Sequence, residues 1–258
     1  MLLAIDCGNT RTKWAVFNAA GDIFNQGACL NAALTTIDFS PRTLAYDHVV
    51  ISNVAGEQHA TALSNMLTPY NFPIHWLKST AQICGVLNQY STPDTLGADR
   101  WAALIASWHI NQAPCIVVNA GTAVTIDALS LNNKQAIFMG GLILPGFSLM
   151  QQSLSAATAQ LPIPTLSEHF QHDDIFAKNT GDAIRLGALQ AISGAIILMA
   201  NTLETQCKQA PAIVISGGNA KIIKDNLVGH VTNLTLIVDN LVLQGLYLID
   251  NFMQSEQQ

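Results

Sequence analysis

The strongest constraint on the fold of this chain is a pattern that occurs twice. The apolar segment "LLAID" leads into "CGNT" near the start, and "CIVVN" leads into "AGTA" 113 positions later. In both places an apolar strand reaches an Asx residue and a glycine turn, and a second strand follows. Such a turn lets the backbone approach an anion closely. The repeat indicates either duplication of one α/β unit or a coincidence, since glycine is common at tight turns between strands.

The composition is typical of a packed globular protein. Half of the 258 residues are hydrophobic and 11% are charged. A net charge of −6 and the lack of a Lys/Arg run argue against a nucleic-acid partner. The apolar start has no basic region before it and is interrupted by Asp6, unlike a signal peptide. The apolar segment 188–200 is interrupted by Gln190 and Ser193, so we expect a buried helix that is too short to cross a bilayer.

The cysteine pattern indicates reduced thiols. Five cysteines are scattered along the chain without a C-x-x-C pair, which favours a cytoplasmic protein and argues against a zinc site. The close pair His169 and His172 is expected to be solvated. We therefore expect a cytoplasmic protein that acts without a membrane.

The predicted elements alternate between strands and helices, as in an α/β protein. "SGG" at 216–218 forms a third glycine turn between a strand and a helix. Asn179 or Thr180 caps a long apolar helix, and a helix follows "PG" at 145–146. The other predicted elements are strands at 2–5, 12–17 and 48–53, a turn at 6–10, and helices at 58–67 and from residue 97. A hinge near 111–114 divides the chain into predicted domains 1–112 and 113–258.

The glycine turns point to phosphate binding without a known nucleotide motif. The chain contains neither G-x-x-x-x-G-K-[ST] nor G-x-G-x-x-G, so a P-loop or a dinucleotide site is not supported. Separate glycine turns in two related halves would instead form the two walls of a nucleotide clamp.

Six segments, in this order, resemble the type III pantothenate kinase family: "DCGNTRTK", "LGADRW", "NAGTAVTID", "GGLILPG", "NTGDAIRLG" and "SGGNA". This family belongs to the superfamily of sugar kinases, actin and the heat-shock chaperone ATPase. The resemblance implies an α/β fold of two duplicated ribonuclease-H-like (actin-like ATPase) domains, each with a mixed five-stranded sheet and flanking helices. It also implies a homodimer that phosphorylates pantothenate to 4'-phosphopantothenate with ATP, the first step of coenzyme A biosynthesis, and that depends on a monovalent cation.

The resemblance implies a set of ATP contacts, and some have ordinary alternatives. The set is Asp6, Cys7, Gly8, Asn9, Thr10, Arg11, Thr12, Lys13 and Thr122. Asp6 would hold Mg²⁺ through water, because this ion keeps most of its hydration shell. Taken alone, Asp6 could close an Asx turn, Lys13 could be solvated and Thr122 could be an ordinary strand residue.

The resemblance also implies the catalytic base and the pantothenate contacts. The base is Asp99, which would take the proton of the substrate hydroxyl. As a bare residue, Asp99 could simply stabilise the start of a helix through the helix dipole. Arg100 is a natural partner for the substrate carboxylate or a transferring phosphate. The implied substrate contacts are Tyr90, Gly97, Ala98, Asp99, Arg100 and Thr180.

One position departs from the family pattern. Many members have an aspartate, associated with the monovalent cation, where this chain has Asn119, so the K⁺ or NH₄⁺ site is in doubt. Two other functions are weighed: a sugar kinase of the same superfamily and a non-catalytic regulatory accessory factor. The retention of Asp6, Asp99 and the glycine turns argues against the second of these.

Overall fold

The computed structural model describes residues 1–133, 135–157 and 175–256, which form two compact units. The first unit contains Met1–Ile110 and Asn240–Gln258, and the second contains Asn111–Asp239. The predicted domains 1–112 and 113–258 differ from these units in the last helix, which belongs to the first unit. The pair His169 and His172 lies outside the described residues.

The sheet of the first unit has five strands in the order β3-β2-β1-β4-β5. The strands β1, β2 and β3 are antiparallel, whereas β4 and β5 run parallel to β1. The strands are β1 (Leu2–Cys7), β2 (Arg11–Phe17), β3 (Ile23–Leu30), β4 (His48–Asn53) and β5 (Ile74–Trp76), and the short hairpin is β6 (Gln82–Ile83) and β7 (Val86–Asn88). The helices are α1 (Pro41–Leu44), α2 (Glu57–Leu67), α3 (Ala98–Asn111) and α7 (Leu241–Ser255), with 3-10 turns at Asn31–Thr36, Thr68–Tyr70 and Pro93–Thr95.

The strands of the second unit repeat this plan. They follow the order β12-β11-β8-β9-β10, in which β8, β9 and β10 are antiparallel and β11 and β12 run parallel to β8. The elements are β8 (Cys115–Ala120), β9 (Ala123–Asn132), β10 (Gln135–Pro145), α4 (Phe147–Ala157), α5 (Thr180–Cys207), β11 (Ala212–Ser216), α6 (Ala220–Leu227) and β12 (Thr235–Ile237). Identical strand order and direction support duplication rather than coincidence as the origin of the sequence repeat.

The repeat extends to single residues at the ends of the strands. Asp6 of β1 lies opposite Ser52 of the parallel strand β4, and Asn119 of β8 lies opposite Ser216 of β11. Asp6 and Asn119 therefore occupy the same position in the two copies. This equivalence places the aspartate of the first glycine turn and the asparagine of the second in matching sites.

The first strand is longer than the sequence pattern predicts. It was expected to end at residue 5 and to be followed by a turn at 6–10, but β1 continues to Cys7. Its ladders explain this, because Cys7 still pairs with Thr12 of β2 and with Asn53 of β4. Since side chains alternate along a strand, Asp6 and Cys7 point to opposite faces of the sheet.

Different helices cover the two faces of the first sheet. On one face, Cys7 packs with Trp14 and with Leu63 of α2 in a buried cluster. On the other face, the ring of Phe17 stacks on Tyr247 of α7, with ring centres 5.0 Å apart. Asp6 lies on this second face, because it is an even number of residues from Leu2, the strand partner of Phe17.

The last helix joins the first unit through a very close contact between helices. A Cβ atom added to Gly245 of α7 would lie 1.9 Å from the carbonyl oxygen of Ala102 on α3. The two helix backbones therefore touch at this point, and only glycine fits there. This close approach is one of the contacts that hold α7 in the first unit.

The long apolar helix that the sequence predicts after Asn179 or Thr180 is α5. α5 has 28 residues and is the one helix of the described chain that is long and apolar enough to cross a membrane by length and composition alone. The expectation that the apolar segment 188–200 is too short to cross a bilayer is wrong for the helix to which it belongs, because Gln190 and Ser193 do not interrupt that helix. Ser193 accepts a hydrogen bond from Asn226 at 2.9 Å. The prediction of a buried helix is confirmed for one face, where Leu189 and Ile192 pack in the core of the second unit.

Candidate active site

Asp6 is a partly buried residue between two polar strand neighbours. It lies beside Lys13 of β2 and Ser52 of β4. Its Oδ1 atom is buried and has no hydrogen-bond partner among the described residues. Burial, and to a smaller extent the negative charge of Asp99, raise the pKa of Asp6 to about 7, although Lys13 and Ser52 oppose the rise. A buried carboxylate oxygen without a donor is a suitable place for a cation or its water shell.

Asp99 lies in the first turn of α3, as the sequence predicts. Its Oδ1 accepts a hydrogen bond from the Arg100 backbone N–H at 2.8 Å. Burial raises the pKa of Asp99, and the backbone N–H and the charge of Arg100 oppose the rise. The negative charge of Asp99 also contributes to the raised pKa of Asp6. Two carboxyl groups that influence each other and both have a raised pKa are more typical of an active site than of a simple helix start.

Arg100 is held against Tyr90. The Arg100 side chain is buried, its Nη1 donates a hydrogen bond to the Tyr90 hydroxyl at 3.0 Å, and the guanidinium carbon lies 5.7 Å from the centre of the Tyr90 ring. These contacts bring together two residues that the family resemblance assigns to pantothenate. A planar guanidinium held in one orientation is well suited to bind a carboxylate.

The loop that carries Tyr90 is anchored by a residue that sequence reasoning missed. Asn88 is buried, and its Nδ2 donates to the carbonyl oxygens of Thr80 and Pro93, each at 3.2 Å. Its Oδ1 accepts from the backbone N–H of Tyr90 at 3.0 Å. The sequence signal for this role is weak, since it is only the general tendency of an Asn side chain to bond the backbone N–H two residues later.

The first glycine turn separates the predicted ATP contacts into three groups. Gly8, Asn9, Thr10 and Arg11 form the tip, where the Gly8 N–H donates to the Arg11 carbonyl oxygen at 3.1 Å. Asp6 and Lys13 lie on one face of the sheet. Cys7 and Thr12 are fully buried on the other face. Cys7 and Thr12 remain predicted ATP contacts, and because both side chains are fully buried, such contacts would involve their backbone atoms.

The second glycine turn is supported by two other glycines. A Cβ atom at Gly146 would lie 2.3 Å from the carbonyl oxygen of Gly121, and one at Gly217 would lie 2.6 Å from that of Ala120. Both positions therefore require glycine. Thr122 is exposed at the tip of this turn, and Asn119 is partly buried at the end of β8. These contacts explain why glycines recur in three separate sequence segments of the second unit.

Thr180 is the exposed first residue of α5. The cap of this helix is Asn179, whose Oδ1 accepts from the Asp182 backbone N–H at 2.9 Å. The prediction that Asn179 or Thr180 caps the helix is thereby confirmed for Asn179. Thr180, Asn119 and Thr122 belong to the second unit, whereas Asp6, Lys13, Tyr90, Asp99 and Arg100 belong to the first.

Comparison with known proteins identifies the family. A sequence model described as type III pantothenate kinase matches residues 2–202. The chain belongs to the type III pantothenate kinase family. A type III pantothenate kinase from Methylobacillus flagellatus is 39% identical over 96% of this chain and 97% of its own length. A second, from Nitrosospira multiformis, is 39% identical over 96% of this chain and 90% of its own length.

Solved structures place this type III pantothenate kinase family member in a wider fold group. A Baf family protein from Campylobacter jejuni has a TM-score of 0.62 at 18% identity, covering 99% of this chain and 98% of its own. A glucokinase from an Antarctic psychrotroph has a TM-score of 0.50 at 11% identity, covering 97% and 98%. At these identities the likeness concerns the fold alone, and it agrees with two ribonuclease-H-like domains.

Proposed function

We propose that this protein transfers the γ-phosphoryl group of ATP to the primary hydroxyl of pantothenate. The observation that carries the proposal is the grouping of Asp6, Asp99, Arg100 and Tyr90 in the first unit of a type III pantothenate kinase family member. The family match does not favour the sugar kinase alternative. It also does not favour a regulatory factor without activity, since the carboxylates and glycine turns are intact.

Asp99 acts as the general base in this proposal. As the pantothenate oxygen forms its bond to the γ-phosphorus, the bond to the ADP oxygen breaks, and the hydroxyl proton passes to the Asp99 carboxylate. Burial raises the pKa of Asp99 above its ordinary value, and a carboxylate with a raised pKa is a stronger proton acceptor. Its bond from the Arg100 N–H keeps one oxygen occupied and orients the other.

Arg100 and Tyr90 bind the substrate. The guanidinium of Arg100 pairs with the pantothenate carboxylate, and the Tyr90 hydroxyl holds the guanidinium in place. Gly97, Ala98 and Thr180 complete the proposed substrate contacts. This assignment predicts that pantothenate analogues without the carboxylate bind weakly, because a buried guanidinium without its partner loses a charge-assisted hydrogen bond.

Asp6 and the glycine turns bind the nucleotide. The turn tips at Gly8, Asn9, Thr10 and Arg11 and at Thr122 offer backbone and side-chain donors to the phosphates, and Lys13 adds a positive charge. The orphaned Oδ1 of Asp6 fits a role as a Mg²⁺ ligand through water. Bound Mg²⁺ would neutralise charge on the phosphate oxygens. A K⁺ or NH₄⁺ ion is proposed near Asn119, where its strand neighbours Thr125 and Ser216 supply only neutral oxygens.

We further propose a cytoplasmic homodimer. The proposal is supported by apolar side chains on α5 that the second unit leaves uncovered, such as Leu198, which is 66% exposed. Light scattering of the purified protein coupled to size exclusion tests this: a mass of about twice 27.6 kDa is expected, and a monomer at assay concentration would contradict it.

A coupled assay of ADP release tests the function. With ATP and Mg²⁺, turnover should depend on pantothenate, and mass spectrometry should show a product heavier by one phosphoryl group. Glucose and N-acetylmannosamine should give no comparable turnover. Turnover with a hexose and none with pantothenate would overturn the assignment in favour of a sugar kinase.

A further inference from the structure

One asparagine outside all the predicted motifs holds the first glycine turn from two sides. Asn31 follows β3, and its backbone N–H donates to the carbonyl oxygen of Thr10 at 3.0 Å. Its side-chain Nδ2 donates to the carbonyl oxygen of Gly8 at 2.8 Å. The two backbone carbonyl groups that flank the tip of the turn therefore both accept hydrogen bonds from Asn31.

The Asn31 amide is itself oriented by a chain of hydrogen bonds. Its Oδ1 accepts from the hydroxyl of Thr12 at 3.0 Å, and that hydroxyl lies 2.8 Å from Nε2 of His59 on α2. Because a hydroxyl has only one proton, and Thr12 gives it to Asn31, Nε2 of His59 must carry the proton that is donated to Thr12. Thr12 is fully buried, so water does not compete for these bonds.

The second unit has the same backbone hydrogen bond to its turn, but a glycine takes the place of Asn31. Gly146 follows β10, the counterpart of β3, and its N–H donates to the Thr122 carbonyl oxygen at 2.8 Å. There the two backbones are so close that a Cβ at Gly146 would lie 2.4 Å from that oxygen. Both units therefore tie the turn threonine to the residue after the third strand, and Asn31 adds the bond to Gly8.

Holding the Gly8 carbonyl has a direct consequence for the binding of an anion. The peptide bond is planar and trans, so the Gly8 carbonyl and the Asn9 N–H point in opposite directions. A carbonyl fixed on Asn31 therefore directs the Asn9 N–H away from Asn31, and an oriented N–H group of this kind is what a phosphate oxygen requires.

We propose that Asn31 is a positioning residue for the phosphate turn formed by residues 8–10, and that Thr12 and His59 set its orientation. The proposal rests on the proposed function in that it takes ATP as the anion at this turn. It assigns Thr12 a role behind the turn instead of a contact with the nucleotide. Loss of the Asn31 side chain should weaken ATP binding and leave pantothenate binding almost unchanged.

The test measures ATP binding by calorimetry in the presence of Mg²⁺ and without pantothenate, together with kcat and both KM values. Asn31→Ala keeps the backbone bond to Thr10 but loses the side-chain bonds to Gly8 and Thr12. ATP should bind to it about tenfold more weakly, the order expected for the loss of these hydrogen bonds. Thr12→Val keeps the shape but removes the hydroxyl, so it should weaken ATP binding in the same direction, and Thr12→Ser should restore it. The KM for pantothenate at saturating ATP should stay within about twofold of the wild-type value, as one expects when only the nucleotide turn is disturbed.

A matched control is Asn233→Ala in the second unit, which loses a similar bond from Nδ2 to the Pro211 carbonyl oxygen at 2.8 Å. It should bind ATP like the wild type. Wild-type ATP affinity in both Asn31→Ala and Thr12→Val, or equal weakening in the control, would overturn the proposal. ATP binding is measured without pantothenate, so the two proposals can fail separately. A wild-type protein that binds ATP but does not phosphorylate pantothenate would overturn the proposed function, whereas the ATP affinities of the variants would still test the role of Asn31.

Discussion

Gly97 leaves just enough room for the carboxylate of Asp99. A Cβ atom at residue 97 would lie 2.7 Å from the Asp99 Oδ1, which is closer than two such atoms can approach without a shift. The same Oδ1 accepts the Arg100 N–H at 2.8 Å. The glycine of "GADR" is therefore required by the position of the proposed base, and not by an unusual backbone conformation.

Gly97→Ala should move the Asp99 carboxylate and slow the reaction. A misplacement of about 1 Å can reduce catalysis by roughly a hundredfold, so we expect kcat to fall by about ten- to a hundredfold. The control is Gly194→Ala within α5, where an added methyl group meets no atom within 4 Å. Steady-state kinetics of both variants test this, and an unchanged kcat in Gly97→Ala would show that the carboxylate adjusts without loss.

Asp99→Asn keeps the size of the side chain but removes the proton acceptor. We expect kcat to fall by about two to four orders of magnitude, the usual range for loss of a general base. The dissociation constant of pantothenate, measured by calorimetry, should change far less. Turnover close to the wild-type rate would show that Asp99 only stabilises the start of α3 through its charge.

His48 should make the first unit more stable in mild acid than in mild base. Its Nε2 lies 2.9 Å from the buried Asp250 of α7, and it also contacts Asp47. The hydrogen bond to Asp250 raises the pKa of His48, and the bond to Asp47 adds to the rise, while burial opposes it. A group whose pKa is raised by folding stabilises the fold fully below its unfolded pKa of about 6.5 and loses this contribution as pH rises through the folded pKa.

Urea unfolding across pH 6 to 9 tests the role of His48. The wild-type free energy of unfolding should fall over this range by more than that of His48→Gln, since the variant lacks the titrating ring. His75→Gln is the control, because His75 is exposed on β5 and forms no ion pair in the described chain. Parallel curves for wild type and His48→Gln would contradict the prediction.

Asn119→Asp should strengthen dependence on K⁺. An amide oxygen can ligate K⁺ without adding charge, whereas a carboxylate at close range contributes about 4 kcal/mol of attraction at an intermediate dielectric before desolvation. Even a third of this would change affinity about tenfold. We expect weak activation by K⁺ over a sodium background in the wild type, and activation at about tenfold lower K⁺ in the variant. Tight activation in the wild type that the aspartate leaves unchanged would show that residue 119 does not set cation affinity.

The sequence by itself determined the elements whose signals are local. The strand at His48–Asn53, the start of α3 after Gly97 and the Asn179 cap all agree with its predictions. Each depends on residues within a few positions of one another, through apolar runs or a side chain that bonds a nearby N–H. The repeated glycine turn also indicated the duplication, because both copies kept their Asx and Gly residues.

The tertiary structure alone decided which residues meet over long distances in the sequence. The end of β1 depends on ladders with β2 and β4, and these ladders place Cys7 and Thr12 in the core. Asn31 reaches the first glycine turn only because β3 returns alongside β2, and α7 packs closely on α3 because Gly245 fits against Ala102. Neither contact leaves a local pattern, since an ordinary asparagine and a helix glycine acquire their roles only from the backbone that packing brings beside them.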